Sequence, residues 1–491
     1  MSEFFVTFAL FVVIYSPARS NENTDSMTVL TQSFDVLVVG GGNAGLCAAI
    51  TARRAGARVL VLESATKDFR GGNSRHTRDI RYMHRAATDY VTGAYTEQEF
   101  WEDLRQVTGG ETNEGLARLT IQNSEELGDW MRANGIHWQK PLRGTLHLAQ
   151  SNLFMLGGGK AMMNAYYDTA SKSGVQIAYE SEVSELRIRD GEFLSAVVSG
   201  NGAKREVEAK AIVVAAGGFE ANIPWLKEYW GNAADNFIIR GTKHNQGRML
   251  KELLRHGGKP VGDPRGCHAV ALDARAPKFD GGIVTRLDSV PFGIVVNKEV
   301  KRFYDEGEDF WPKRYAIWGK LIAQQPDQIA YSIVDVKALP HFMPSVFPPV
   351  EADSIAELAS ALGLDPKALV RAVDEFNRAI RPGAFNPGSL DSCRTEGLDP
   401  PKSHWARPID TPPYYGYPLR PGITFTYLGI TVDERAQVIM QDERPAKNIF
   451  AAGEVMAGNI LGKGYLAGFG LTIGSVFGRI AGREAARRAT A

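Results

Sequence analysis

The feature that most constrains this chain is the stretch from Asp35 to Ile50, closed by a second apolar run that ends on Glu63. Val36 to Val39 reads as a buried strand and leads into Gly40, Gly42 and Gly45 at the spacing GxGxxG. Gly40 permits a tight turn, Gly42 lets backbone approach a pyrophosphate, and Gly45 lets helix and strand pack closely. The small-residue helix that follows begins at Asn43 and Ala44, whose free N–H groups and positive dipole end suit phosphate. Val59 to Leu62 reads as the next strand, and Glu63, 18 residues past Gly45, is placed to accept a hydrogen bond from a ribose hydroxyl. Alone the glycine pattern says little. Inside a complete βαβ unit with a terminal acid it specifies a dinucleotide site.

Two further segments say which dinucleotide. Phe69 to Ser74 is a second glycine-rich turn containing Gly72, Asn73 and Ser74, about where a flavin would continue from the adenosine half. Near the far end, Asn448 to Val455 reads as a strand closing on Gly453 and Glu454, suited to the ribityl chain. A nicotinamide-only enzyme needs neither feature. With these elements the sequence resembles the fumarate reductase/succinate dehydrogenase flavoprotein family from about Phe34 to the C-terminus, and Ala211 to Phe219, with Ala216 and Gly217, is similar to the family's "ATGG"-type segment. The resemblance implies FAD as cofactor and adds Val183, Leu471 and Ile473 as candidate contacts.

Length and composition bound the answer. At 491 residues two domains are the natural prior. Lys and Arg number 56, as do Asp and Glu, so a general nucleic-acid surface is excluded and any affinity for anions must come from local clusters. Cys47, Cys267 and Cys393 are scattered and odd in number, which leaves no disulfide framework, zinc site or iron–sulfur cluster. If electrons leave through an iron–sulfur centre, a partner protein, membrane-associated in such systems, carries it.

The first 26 residues leave alternatives open. Phe4 to Tyr15 is apolar, but Glu3 stands where a signal peptide carries positive charge, and the run falls short of the ~20 residues that span a bilayer. Met27 lies just before the first strand, so a start codon placed too early or a disordered extension stands beside a signal or anchor. A cytoplasmic location, with or without a membrane partner, is expected.

Helical periodicity marks Glu97 to Val107, Glu111 to Asn134, Lys160 to Ser173, Gly247 to His256 and Leu471 to Arg488. Short strands are expected at Val175 to Tyr179, Val183 to Arg187 and Phe193 to Ser199. Prolines accumulate from Pro340 to Pro413 around a helical stretch at Ser354 to Ile380, where the resemblance implies an inserted capping domain. The expected fold is α/β: a Rossmann-like FAD-binding domain with an inserted α+β capping domain. The expected divisions are an extension over 1–32, the FAD domain over 33–267 and 421–491, and the cap over 268–420.

Arg75, Arg78 and Arg81 recur at i, i+3 and i+6, which on a helix would place three carboxylate-binding forks on one face; contact with FAD phosphates or solvent is the alternative. His76 lies in Ser74-Arg-His-Thr77, where membrane-bound family members have Ser-His-Thr and covalent flavin. The inserted arginine breaks that pattern, so non-covalent FAD is expected. The family places a substrate-binding histidine where His268 stands, although Ala269 and Val270 replace its usual Pro-Thr. The block from Gly293 to Glu306 matches a segment after which soluble fumarate reductases use an arginine to donate the proton, and Arg314 is the nearest candidate.

Two departures separate the chain from a true fumarate reductase: the family's second histidine would fall near Phe425 and its second substrate arginine near Gly464, and neither is present. Lys463 and Tyr465 occupy the latter region, and a tyrosine in a similar glycine context serves the ketosteroid dehydrogenase branch. The segments Gly71 to Arg78, Phe154 to Lys160 and Gly462 to Gly468 are most similar to the tricarballylate-oxidising subgroup, with the flavoprotein part of a cobalamin-pathway enzyme close behind. Such a resemblance implies desaturation of a small polycarboxylate, with Arg75, Arg78 and Arg81 holding carboxylates and His268, Arg314 and Tyr465 around the reacting carbons. A ketosteroid desaturase and an electron-relay flavoprotein remain the rivals.

Overall fold

The computed structural model describes residues 33–141, 148–200 and 202–490, so the expectations for 1–32 fall outside it. The first strand, β1 (Phe34–Val39), is buried along its whole length. It feeds helix α1 (Asn43–Arg54), whose alanines and glycine let it lie close on the sheet, and then β2 (Val59–Leu62). β3 (Gln176–Ala178) extends this sheet beyond β2, and β4 (Ala203–Val214) pairs on the other side of β1. All these pairings are parallel. Continuous apolar runs such as Val36 to Val39 are what a parallel sheet covered on both faces requires.

The chain then leaves for a second, six-stranded sheet. Its strands include β5 (Cys267–Asp273), β6 (Ile294–Asn297), β7 (Ala330–Asp335) and the long β8 (Tyr414–Thr426), which pairs antiparallel with both β5 and β7. Helices Ile355–Leu362 and Pro366–Ala379 pack on this sheet, and Leu358, Leu369 and Phe376 share a separate apolar core with Ile294 and Ile333. From β8 the chain returns to the first sheet as β9 (Pro445–Ala451), parallel to β4, and ends in helix α2 (Phe469–Thr490). The fold is α/β, a Rossmann-like core with additional sheet and helical insertions. Among the described residues no helix is long and apolar enough to cross a membrane.

Local differences from the sequence expectations have simple causes. Glu111 to Asn134 is two helices, Glu114–Ser124 and Leu127–Ala133, with the break at two successive glutamates. The arginine segment is not a helix. A 3-10 turn at Gly72–His76 gives way to the strand Asp79–Arg81, which pairs with Asn152–Met155. Arg75, Arg78 and Arg81 therefore do not share a helical face.

Helices α1 and α2 cross with almost no side chain between them. A Cβ on Gly482 would sit 2.2 Å from the Ala48 carbonyl oxygen, and one on Gly478 would sit 2.4 Å from that of Ala44. Helix propensity alone makes Gly482→Ala stabilising by about 1 kcal/mol, whereas overpacking costs about 1–3 kcal/mol. The contact here is with backbone, which cannot swing away, so the clash wins. Urea titration of Gly482→Ala is expected to give a net loss of ~1 kcal/mol or more. A gain would mean that the helices are not in contact along this seam.

Candidate active site

The register of the first sheet brings four strand ends level. Val39 pairs with Leu62 and Val214, and Val214 with Ala451, so the turns after β1, β2, β4 and β9 emerge side by side. Ligands of open parallel sheets bind at such carboxyl ends. A long cavity runs there. At one end it is lined by Gly40, Gly42, Asn43 and Ala44 after β1, and by Glu63 after β2. Ala216 and Gly217 follow from β4, Gly453 and Glu454 from β9, then Gly72, Asn73 and Ser74 from the second glycine turn. Val183 and Leu471 complete the wall. Gly45 and Ile473 are not in it. A Cβ on Gly45 would lie 1.9 Å from the Gly40 carbonyl oxygen, so this glycine serves the turn's packing, and Ile473 is fully buried on α2.

This end fits a dinucleotide. Gly40 adopts φ +103°, a conformation that side chains disfavour, and Gly42 and Gly72 would have nothing closer than 3.7 Å to an added Cβ, leaving bare backbone facing the cavity. Glu63 is fixed by Gly41 N–H (3.2 Å) and Ala65 N–H (2.8 Å), which aims its carboxylate along the turn. Asn43 is pinned to α2 through the Leu471 carbonyl (3.1 Å) and Ser475 (3.1 Å). His76 is held by Asp280 at 2.7 Å, a partner from the loop before the 3-10 turn at Ile283–Thr285.

The other end of the same cavity is lined by Asp79, Arg240, His268, Arg286, Tyr315, Phe425 and Tyr465. His268 sits opposite Phe425 at the start of β5, where a bulge between His268 and Ala269 re-aims the strand. Its ring stacks on Tyr465 (4.0 Å between centroids, 8° between planes) and meets Tyr315 edge-on at 5.2 Å. The Tyr465 hydroxyl accepts the Gly470 N–H at 2.9 Å, so the tyrosine fixes the plane of the imidazole. The His268 Nε2 is buried and has no partner. Burial, followed by the charges of Arg240 and Arg286, holds His268 well below the usual histidine range, so it is neutral.

Neither Arg240 nor Arg286 was singled out from the sequence. Arg240 follows the short strand Ile238–Ile239, is 6% exposed, and has Nε and Nη1 buried without a partner. Burial, reinforced by Arg286, pushes it down to about 10. Burial opposes the charge of Arg286 too, but Asp288 at 2.9 Å outweighs it, and Asp288 is steadied by Trp311 Nε1 at 2.7 Å.

The residues singled out earlier are placed differently. Arg78 lies behind the lining, on Asp79 (3.3 Å) and Met343 Sδ (2.9 Å), yet its charge reaches Arg286 and Asp288. Arg81 is turned away into the Ala467 carbonyl and Tyr95, and Arg75 lies over Phe69 with a bond to the Asp68 carbonyl. Arg314 is outside the lining and pairs with Glu308 at 3.0 Å. A signal for Arg240 existed in its position between an apolar pair and Gly241-Thr242, but nothing local marks Arg286.

The family described as FAD binding domain matches residues 35–471. NADH:fumarate oxidoreductase of Klebsiella pneumoniae is 27% identical over 93% of this chain, and the chain spans about half of that protein, 48%. Among solved structures, a flavocytochrome c3 fumarate reductase superposes with TM-score 0.73 at 22% identity, covering 96% of this chain and 81% of the other. A 3-ketosteroid-Δ4-(5α)-dehydrogenase from Rhodococcus jostii RHA1 gives 0.70 at 23% identity, covering 94% and 98%.

FAD is expected to be held without a covalent bond in this chain, and the His76–Asp280 pair gives that histidine another role. Acid precipitation of the purified protein should leave the flavin in the supernatant. Flavin retained in the pellet would establish a covalent link. The match across 35–471 and the cavity's dinucleotide end agree: this chain belongs to the FAD-binding fumarate reductase/succinate dehydrogenase flavoprotein family.

Proposed function

We propose that the protein is an FAD-dependent dehydrogenase that desaturates a CH–CH bond beside carboxylates, oxidising tricarballylate to cis-aconitate. The observation that carries this reading is Arg240. A buried guanidinium with two unpartnered N–H groups, beside a second buried arginine, is costly unless a ligand completes it. A carboxylate accepts such N–H groups in pairs. Asp79, Asp288 and Arg78 lie around the same end, so three guanidiniums face two carboxylates and an anionic ligand is favoured.

When bound, FAD supplies the two-electron oxidation. The chain's own residues bind the acid and move the proton. Arg240 and Arg286 would grip carboxylates and stabilise the charge that develops as the α-carbon loses its proton. His268 Nε2, neutral and unpartnered, would take that proton, with Tyr465 holding the ring in plane. The segment 268–420 would cap the cavity and exclude water. Reoxidation would fall to an electron-accepting partner, iron–sulfur or membrane-bound. An apolar ketosteroid ring would leave the Arg240 N–H groups unsatisfied, which disfavours that reading despite the aromatic wall of Tyr315, Phe425 and Tyr465.

Anaerobic addition of tricarballylate should bleach the flavin band with cis-aconitate formed. A flavin that stays oxidised with tricarballylate but bleaches with a steroid ketone would overturn the assignment. Arg240→Met removes two charge-assisted bonds worth about 1.5–3 kcal/mol each, so kcat/KM should fall by about 100-fold or more. Unchanged kcat/KM would remove Arg240 from the clamp.

The pH dependence follows from His268. A base acts only when unprotonated, so activity is lost as pH falls through its pKa. Because that pKa lies well below the ordinary 6.5, kcat/KM for the fully ionised substrate should stay flat through the usual histidine range and fall only below it. An acid limb centred at 6.5 or higher would mean that His268 is not the base.

A further inference from the structure

One hydroxyl at the arginine end of the cavity has no partner within the fold. Thr424 stands one residue before Phe425 near the end of β8, lines the cavity and is 8% exposed, yet its Oγ1 is buried without a hydrogen bond. A threonine on a helix can close its hydroxyl on the carbonyl one turn back, as Thr108 and Thr120 do at 2.8 and 2.7 Å. A strand offers no such carbonyl, so the partner must come from another element. Thr426, two residues on, has two: it donates to Glu454 Oε1 and accepts Phe219 N–H, both at 3.2 Å. Thr424 has neither. Buried polar atoms are rarely left so unless something outside the fold completes them.

The register explains where this hydroxyl sits. His268 pairs with Phe425 and Ala269 with Ile423, so Thr424 is the extra residue of the bulge and faces no residue of β5. Neighbours on a regular strand take opposite faces, but here Thr424 and Phe425 both line the cavity. On the other side of β8 the strand Ile238–Ile239 runs parallel, Ile239 pairs with Ile423, and Arg240 N–H donates to the Ile423 carbonyl at 3.0 Å. Arg240 and Thr424 are therefore the next residues along two paired strands. Asn73 Nδ2 holds the Thr424 carbonyl at 2.7 Å, which fixes the backbone and leaves the hydroxyl unused.

We infer that Thr424 is a specificity-determining residue of this site, its hydroxyl hydrogen-bonding the carboxylate that Arg240 grips. The inference rests on the reading of Arg240 as a carboxylate clamp and adds a neutral donor to it. A carboxylate offers about four acceptor sites, and the two unpartnered N–H groups of Arg240 leave some of them open. A hydroxyl fills one without adding to the positive field at His268. The neighbouring polar groups are committed elsewhere: Arg286 to Asp288, and the Tyr465 hydroxyl to Gly470 N–H.

Calorimetric titration of the FAD-loaded protein with malonate and with cis-aconitate tests this without turnover. Malonate has no CH–CH bond to desaturate, and cis-aconitate is the product of the proposed reaction. Thr424→Val keeps the shape and removes the hydroxyl, Thr424→Ala removes both, and Thr424→Ser keeps the hydroxyl on a smaller side chain. A hydrogen bond to an ionised group changes affinity by about tenfold or more, so Thr424→Val and Thr424→Ala should each weaken binding by at least about that factor. Thr424→Ser should stay within about threefold of wild type. Binding by Thr424→Val within about twofold of wild type, or an equal loss in Thr424→Ser, would overturn the inference. Weaker FAD retention in Thr424→Val with unchanged acid binding would assign the hydroxyl to the cofactor and overturn it too.

The two readings fail separately. If wild type binds malonate, Thr424→Val loses that binding and tricarballylate leaves the flavin oxidised, the role of Thr424 stands and the desaturase assignment falls. If wild type binds neither acid, this inference falls together with the Arg240 clamp.

Discussion

The structure depends on the parallel register of β1, β2, β4 and β9. Because Val39, Leu62, Val214 and Ala451 end level with one another, four turns with unlike sequences share one crevice. A slip of one residue would displace a turn by about 3.3 Å and exchange the two faces of its strand. Close packing enforces the register. Val36, Leu37 and Val38 are fully buried, and α1 and α2 meet through glycines that allow backbone contact. The cofactor end is thus built almost wholly from main chain, with side chains added at Glu63, Asn73 and Glu454.

At the other end the balance reverses, and side chains from separate segments do the work. The chain as a whole carries no net charge, yet Arg240, Arg286 and Arg78 gather near Asp79 and Asp288 alone among the described acids. Asp288 is spent on Arg286, which leaves Arg240 uncompensated. Removing a guanidinium from water without a partner costs several kcal/mol, so a site of this kind lowers the stability of the free protein. Binding an anion recovers that energy, and mass action then stabilises the liganded form.

How much of this was legible in the sequence depends on distance along the chain. The βαβ unit is local: strand, turn, helix and acid occupy Phe34 to Glu63, and each step carries its own residue signature. Gly453 and Glu454 were legible because the strand ahead of them is strongly apolar. Arg75, Arg78 and Arg81 misled because their spacing suits a helix, whereas glycines at 71 and 72 start a tight turn and Asp79 to Arg81 pairs as strand. Arg240 and Arg286 reach the cavity only once β5, β8 and the second sheet have formed. Their approach to His268 is a tertiary fact with no sequence period. Ile473 shows the opposite error: the right helix, but two residues past the lining position Leu471 and one before Gly474.

Two groups in the cavity are shifted toward their neutral forms by burial and then by neighbours of their own ionised sign. Burial and the adjoining arginines hold His268 well below the usual histidine range, and burial and the adjoining Glu220 raise Glu454 well above the usual carboxylate range. In each case burial and the neighbour push the same way, so the charge pattern of the free cavity is set by structure and not by modest changes of pH. A carboxylate arriving between Arg240 and Arg286 changes this at one point only. It cancels part of the positive field at His268 and so raises the proton affinity of that imidazole. In the proposed reaction the basicity of His268 would thus be low in the empty cavity and would rise when an acid is bound, when the proton would be taken from carbon. A histidine of ordinary pKa would instead be partly protonated beforehand, and in the proposed reaction an acid bound between the arginines would do nothing to prepare it as the base.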